Sequence, residues 1–212
     1  MPEHLLYLAK FDVAYDEEAN FNRLYERDVV PELRKLSGVL RVGHYQTGSR
    51  RDPRHLAVYE IASPNVVGSR EWWEAAKKTA WSDRLLPFVM NRDERVYARI
   101  GGNARLTYRT KYLLCVSIDI EATKEDLLNQ LYDAEHIPLL LRLPGVANVV
   151  RYKAAHGNPR YLAIYELERP DIPASKEWAV ASDTGRWKLE VKPYTYNRSF
   201  VVYEAIGENL PE

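Results

Sequence analysis

The chain has 212 residues, with 30 Lys+Arg balanced by 30 Asp+Glu, 46% hydrophobic and 11% aromatic residues, which is enough apolar content for one good core or two small ones and excludes intrinsic disorder. A formal net charge of zero and a pI near 7 leave no electrostatic footprint for a nucleic acid or an anionic membrane partner. The single cysteine, Cys115, can neither close a disulfide within the chain nor build a thiolate zinc cluster. The opening MPEHLLYLAKFDVAYDEE has no basic region ahead of its short apolar run, so a soluble, cytoplasmic protein is expected.

In chain order, HLLYLAKFDV is a short β-branched and aromatic run of strand length. Asp16 then offers a helix N-cap, and the helix nears its end at Pro31 and stops by Gly38. GVLRVGHYQT and RHLAVYEI read as a hairpin turning at Asp52-Pro53. Ser69 caps a second, Trp-bearing helix, and DERVYARIG closes the set as a strand. After the polar stretch 102–110 the same order returns. KYLLCVSIDI is a strand, and Thr123 with Asp126 makes a capping box for a helix carrying Leu127, Leu128 and Leu131. Pro138 and Gly145 end that helix, GVANVVRYKA and RYLAIYEL pair across Asn158-Pro159, Ser175 caps a helix, and SFVVYEAIG finishes.

The recurrence extends to single residues. YERDVVP (25–31) matches YDAEHIP (132–138) at an offset of 107, as do Asp12 and Asp119, Asn22 and Asn129, and Tyr45 and Tyr152. One residue is lost in the hairpin turn, and from there an offset of 106 pairs Trp72 with Trp178, Trp81 with Trp187, Asn91 with Asn197 and Ile100-Gly101 with Ile206-Gly207. The expected organisation is therefore a duplicated domain, 1–101 and 111–212, joined by 102–110.

Each half reads β-α-β-β-α-β, the ferredoxin-like arrangement, which leaves one sheet face bare of helices. The expected fold class is α+β, with the two antiparallel sheets packing into one α+β barrel. Alternation puts Tyr7, Ala9, Phe11 and Val13, or Leu114, Val116, Ile118 and Ile120, under the helices. It turns Leu8, Lys10 and Asp12, or Cys115, Ser117 and Asp119, towards a cavity expected between the sheets.

The second half carries Tyr132, Glu135, His136 and Pro138, then Pro144-Gly145-Val146 and the strand YLAIYE (161–166). This pattern resembles the dimeric α+β barrel superfamily and, within it, the EthD-like branch, with the chain reading as a fused pseudo-dimer. The resemblance implies the topology but not one activity. The superfamily includes cofactor-free monooxygenases, muconolactone isomerases, dehydratase-like and cyclase-like enzymes and haem proteins. Its helix-end histidine falls on His136, whereas the first half has Val29 at that place.

His136 is thus the expected proton carrier, weighed against a histidine that merely satisfies carbonyls freed by Pro138. Arg151, matched by His44, is expected to neutralise an enolate or carboxylate, against the plainer reading of a salt-bridged arginine. Tyr45, Tyr152, Tyr59 and Tyr165 orient a ligand or pack the strands. Asp12 and Asp119 act as bases or cap a turn. Lys10 and Ser117 face a ligand or snorkel to solvent. The tryptophans pack or wall a pocket. The expected catalytic set is His136, Arg151, Tyr152 and Asp119, and the ligand-binding set Lys10, His44, Tyr45, Ser117 and Tyr165.

No P-loop, GxGxxG, HExxH or GxSxG motif occurs, and RHLAVYEI and RYLAIYEL do not fit an RNA-binding strand. The expected activity is a cofactor-independent acid/base enzyme of isomerase, dehydratase or monooxygenase type. It acts on a small apolar oxygenated metabolite held between the sheets, with no metal and no cofactor, as a monomer or a homodimer. A haem held by His136 and a non-catalytic binding or assembly protein are the alternatives.

Overall fold

In the computed structural model, which describes residues 5–49 and 51–206, strand alternation builds two four-stranded sheets. Readings that fall on 1–4, 50 and 207–212, among them Gly207 as the match of Gly101 and the outer limits of the expected domains, lie outside the described residues. In the first sheet, β1 (Leu5–Val13), β2 (Val39–Gln46), β3 (His55–Ile61) and β4 (Val89–Gly102) run antiparallel in the order β4-β1-β3-β2. Helices α1 (Glu18–Leu24) and α2 (Val30–Arg34) join β1 to β2, and α3 (Arg70–Lys77) joins β3 to β4.

The second sheet repeats the plan with β5 (Tyr112–Ile120), β6 (Val146–Ala154), β7 (Tyr161–Leu167) and β8 (Thr195–Ala205) in the order β8-β5-β7-β6. Its helices are α4 (Glu125–Leu131), α5 (Ile137–Leu140) and α6 (Lys176–Ser182). The fold class is α+β, as the sequence led one to expect. The chain divides into two compact units, a first of 5–98 with 205–206 and a second of 99–204.

Each unit has its own core on the helix-covered face of its sheet. Tyr7, Ala9, Phe11 and Val13 pack with Phe21, Tyr25, Val30 and Leu33, and Leu114, Val116, Ile118 and Ile120 pack with Leu128, Leu131, Ile137 and Leu140. Ser69 and Ser175 cap α3 and α6 as expected, each Oγ accepting an amide, from Trp72 and Trp178 respectively, at 3.1 Å.

Three local features depart from the sequence reading. Asp16 and Thr123 cap nothing, because short 3-10 turns (Tyr15–Glu17 and Ala122–Lys124) precede α1 and α4 and no side chain bonds the helix start. The helices also run past their prolines. Tyr25–Val29 and Tyr132–His136 form π turns in which the amides of Val30 and Ile137 bond carbonyls five residues back. A widened turn relieves the crowding of the proline ring, so Pro31 and Pro138 are accommodated and Gly38 and Gly145, at φ of +88° and +87°, end the segments. Finally, β4 and β8 start earlier than expected, because Asn91 and Asn197 take left-handed φ values of 53° and 48° and allow the strands to continue.

Candidate functional site

A cavity of the second unit opens between its helices and its sheet, with about 550 Å³ of empty volume counted out to its mouth. The strands contribute Val116, Ile118, Tyr165, Thr195, Arg198 and Phe200, while the π turn Tyr132–His136 contributes Tyr132 and His136. A second π turn, Trp187–Val191, adds Trp187, and Lys192 follows it. Trp178 and Ser182 of α6 complete the wall.

His136 sits at the centre of this arrangement, 6% exposed. Its ring stacks on Trp187 at 4.2 Å between centroids and meets the edge of Tyr132 at 4.9 Å. Its Nδ1 is buried without a hydrogen-bond partner. Burial, and then the positive charges of Arg151 and Lys192, push the imidazole down to about 3, so it is neutral at pH 7. The Tyr132 and Tyr165 hydroxyls lie 3.0 Å apart, and burial raises both phenols above their ordinary range.

Arg151 lies behind the cavity. Its guanidinium covers the Tyr132 ring at 4.4 Å, meets Asp133 at 3.0 Å and donates to Asn129 Oδ1 at 2.7 Å. With Tyr152 it borders an adjoining recess of about 200 Å³ that shares Val116, Ile118 and Tyr132 with the main cavity. Glu135 of the sequence motif accepts the Trp187 amide at 2.9 Å and so fixes the stacking partner of His136.

The other expected site residues lie elsewhere. Cavity and helices share one sheet face, to which β5 turns its even-numbered residues, so Ser117 and Asp119 point away. Asp119 is fully engaged, accepting the Arg160 amide at 2.7 Å and the Asn197 side chain at 2.9 Å, which pins a register shift in the β5–β8 ladder. Asp12 does the same in the first unit with Arg54 and Asn91. Lys10 and Tyr45 belong to the first unit and do not line its cavity. These two cavities lie under the helices of their units, on the sheet face opposite to Ser117 and Asp119 in the second unit.

His44 repeats the role of Arg151. It packs on Tyr25 at 4.6 Å between centroids and bonds Glu26 at 3.0 Å, so Tyr25, Glu26 and His44 match Tyr132, Asp133 and Arg151 position for position. Because imidazole is shorter than guanidinium, Asn22 Oδ1, the match of Asn129, is left without a partner. The sequence reading missed Tyr25, Tyr132, Lys192 and Arg198. The two tyrosines open the repeated heptapeptide, and their fixed partners Tyr59 and Tyr165 repeat as well, so the pairing was a readable signal. Nothing in the repeat singles out Lys192, whose matching position is Leu86.

Nδ1 of His136 is buried and the ring packs on Trp187 and Tyr132, so Nε2 is the ring nitrogen left to meet a proton or a metal. Among the described residues no cluster of His, Cys, Asp and Glu is arranged to hold a metal, and no helix is long and apolar enough to cross a membrane.

No family model and no curated protein matches the chain. Solved structures do. A candidate monooxygenase of Fusobacterium nucleatum is 11% identical, with 97% of this chain and 93% of that one covered at a TM-score of 0.67. A chlorite dismutase of Candidatus Nitrospira defluvii, solved with imidazole, is 13% identical over 95% and 90% of the two chains at 0.64. An anthrone oxidase-like protein is 10% identical over 97% and 92% at 0.62. At these identities the likeness shows a shared α+β fold over nearly the whole chain and nothing finer.

Proposed function

We propose that the protein is an enzyme working by acid/base chemistry in the cavity of its second unit, on a small, largely apolar molecule that carries an acidic C–H or O–H beside an oxygen. The observation that carries this is His136, a buried, neutral imidazole on a cavity whose lining includes Arg198 and Lys192, the latter paired with Asp183. Names of enzymes among the structural neighbours agree with a catalytic protein of this fold.

Apolar walls of Val116, Ile118, Trp178 and Phe200 hold the body of the substrate and exclude water. His136 takes the proton, and the oxyanion left behind rests against Lys192 and Arg198. The same two effects are coupled. An anion beside Lys192 offsets the positive field that depresses His136, so the base gains strength as the charge forms. Tyr132 and Tyr165 share one hydroxyl proton between them and keep another to donate. Return of the proton to another substrate atom gives an isomerase, and loss of a hydroxyl gives a dehydratase. The chemistry needs no cofactor.

The motif Tyr132, Glu135, His136 and Pro138 supports membership of the EthD-like branch. Matching element order in the two units supports an internal duplication, with 1–101 and 111–212 as its copies, 102–110 as the join and the chain as a pseudo-dimer. A cytoplasmic monomer or homodimer that takes a small molecule agrees with this reading.

The test starts with native mass spectrometry of the purified protein, to identify a co-purifying molecule to use as substrate. With that molecule, His136→Ala is expected to retain binding while turnover falls by about 10²–10⁴-fold. Lys192→Ala is expected to weaken binding of the anionic product. Equal turnover by His136→Ala and wild type overturns the proposal.

A further inference from the structure

The first unit has a cavity in the matching place, with about 650 Å³ of empty volume counted to its mouth, and its chemistry is different. Besides Lys192, which Leu86 replaces, three positions change the wall. Tyr7 stands where the second unit has Leu114, Val29 where it has His136, and Glu94 where it has Phe200. The first cavity therefore has no imidazole on its wall and gains a phenol and a carboxylate.

Its polar groups can be counted. The Tyr7 hydroxyl bonds Glu94, and the hydroxyls of Tyr25 and Tyr59 bond each other. Burial holds all three phenols well above their ordinary range, so all keep their protons. Of the three hydroxyl protons one goes to Glu94 and one lies within the Tyr25–Tyr59 pair. The third is left to donate into the cavity. Arg92 donates to Glu94 at 2.8 Å, so the two charges on the wall cancel and no free cation awaits an anion. The remaining wall is apolar, with aliphatic Val29, Leu33 and Val67 beside three indole rings. Trp72 and Trp81 are packed in, and Trp73 stands 48% exposed at the mouth, a large ring left in water.

We propose that this cavity is a second ligand site, which binds a neutral, planar aromatic molecule bearing a carbonyl-type hydrogen-bond acceptor. The free phenolic proton meets the acceptor, and the indole rings cover the faces of the ligand. Anionic forms of the same molecule are disfavoured, because the one cation on the wall, Arg92, is already engaged by Glu94 and none is left to meet them. This is a binding site without an imidazole, its carboxylate Glu94 being held by Arg92, and it stands independently of the chemistry assigned to the second unit.

Calorimetric titration of the full chain tests it with 1-indanone, with indane as the same body lacking the carbonyl, and with 1-naphthoate as an anion. Wild type is expected to prefer 1-indanone over indane about tenfold, the effect of one hydrogen bond. The double variant Tyr25→Phe/Tyr59→Phe removes both partners of a buried pair without changing its shape, which is nearly neutral for stability. It is expected to abolish the preference. Trp73→Ala, at a half-exposed position that folding tolerates, is expected to weaken both neutral molecules, and 1-naphthoate is expected not to displace 1-indanone. No binding up to the solubility limit overturns the proposal, as does a carbonyl preference that survives the double Phe variant. Loss of 1-indanone binding in His136→Ala also overturns it, because the molecule would then occupy the second unit.

Discussion

At the residue scale, two buried histidines set the pH response. Burial first, then nearby positive charge, lowers His55 and His136 from 6.5 to about 3. His55 lies in a closed array in which His44 bonds Glu26 at 3.0 Å and His55 at 3.1 Å, while His55 Nε2 lies 3.3 Å from Glu18. The unfolded chain takes up these protons below about pH 6.5 and the folded protein only near pH 3, so stability is complete above 6.5 and falls as pH drops between these values. From pH 7 to pH 5 each histidine is expected to cost about 2 kcal/mol. His136→Val, which installs the residue found at matching Val29, is expected to remove half of that loss in urea titrations at the two pH values. An unchanged difference between pH 7 and pH 5 would rule this account out. His136 was legible as a candidate because it stands in a motif, but its neutral state was not. That state depends on burial against Trp187 and on the charges of Arg151 and Lys192, which are distant in sequence and reach it only through the fold.

Single elements follow local rules, and there the sequence is most informative. Ser69 and Ser175 precede apolar helical patterns and cap them, and Ser175→Ala is expected to lower stability by about 1 kcal/mol in thermal unfolding. The stretch 103–110 was legible only as polar. Its place depends on Glu166, a fully buried carboxylate that accepts the Thr107 amide at 2.8 Å, the Thr107 hydroxyl at 2.9 Å, the Tyr108 amide and the Asn148 side chain. Asn148 in turn donates to the Arg105 carbonyl at 2.9 Å. Glu166→Ala leaves these donors buried without an acceptor and is expected to cost about 3 kcal/mol. Hydrogen exchange at the Thr107 and Tyr108 amides is expected to quicken with it, and unaltered exchange there would show that other contacts hold the segment. Periodicity cannot reveal such a clasp, because a strand glutamate facing inward looks like any half-exposed one. The asparagines at 91 and 197 escaped notice for a similar reason. Left-handed backbone is common to turns, and only the paired aspartates Asp12 and Asp119 show that these residues sit within strands.

At the scale of the whole molecule, the order of elements in both units could be read from the repeat, because strand and helix periods survive where side chains diverge. The position of the cavities could not. Their walls include Tyr25, Tyr132 and Trp187 from the π turns, and strand alternation does not express those turns. A ligand for either cavity is expected to stabilise the chain, by about 2.7 kcal/mol at one hundred times its dissociation constant. The substitutions Tyr7 for Leu114, Val29 for His136 and Glu94 for Phe200 have a further meaning for heredity. In an assembly of identical subunits one codon writes every copy of a wall, so a change that suits one pocket is imposed on all the others. Here each wall has its own codons. Each pocket can drift, specialise or fall silent without altering its counterpart, while the two are always synthesised in equal number.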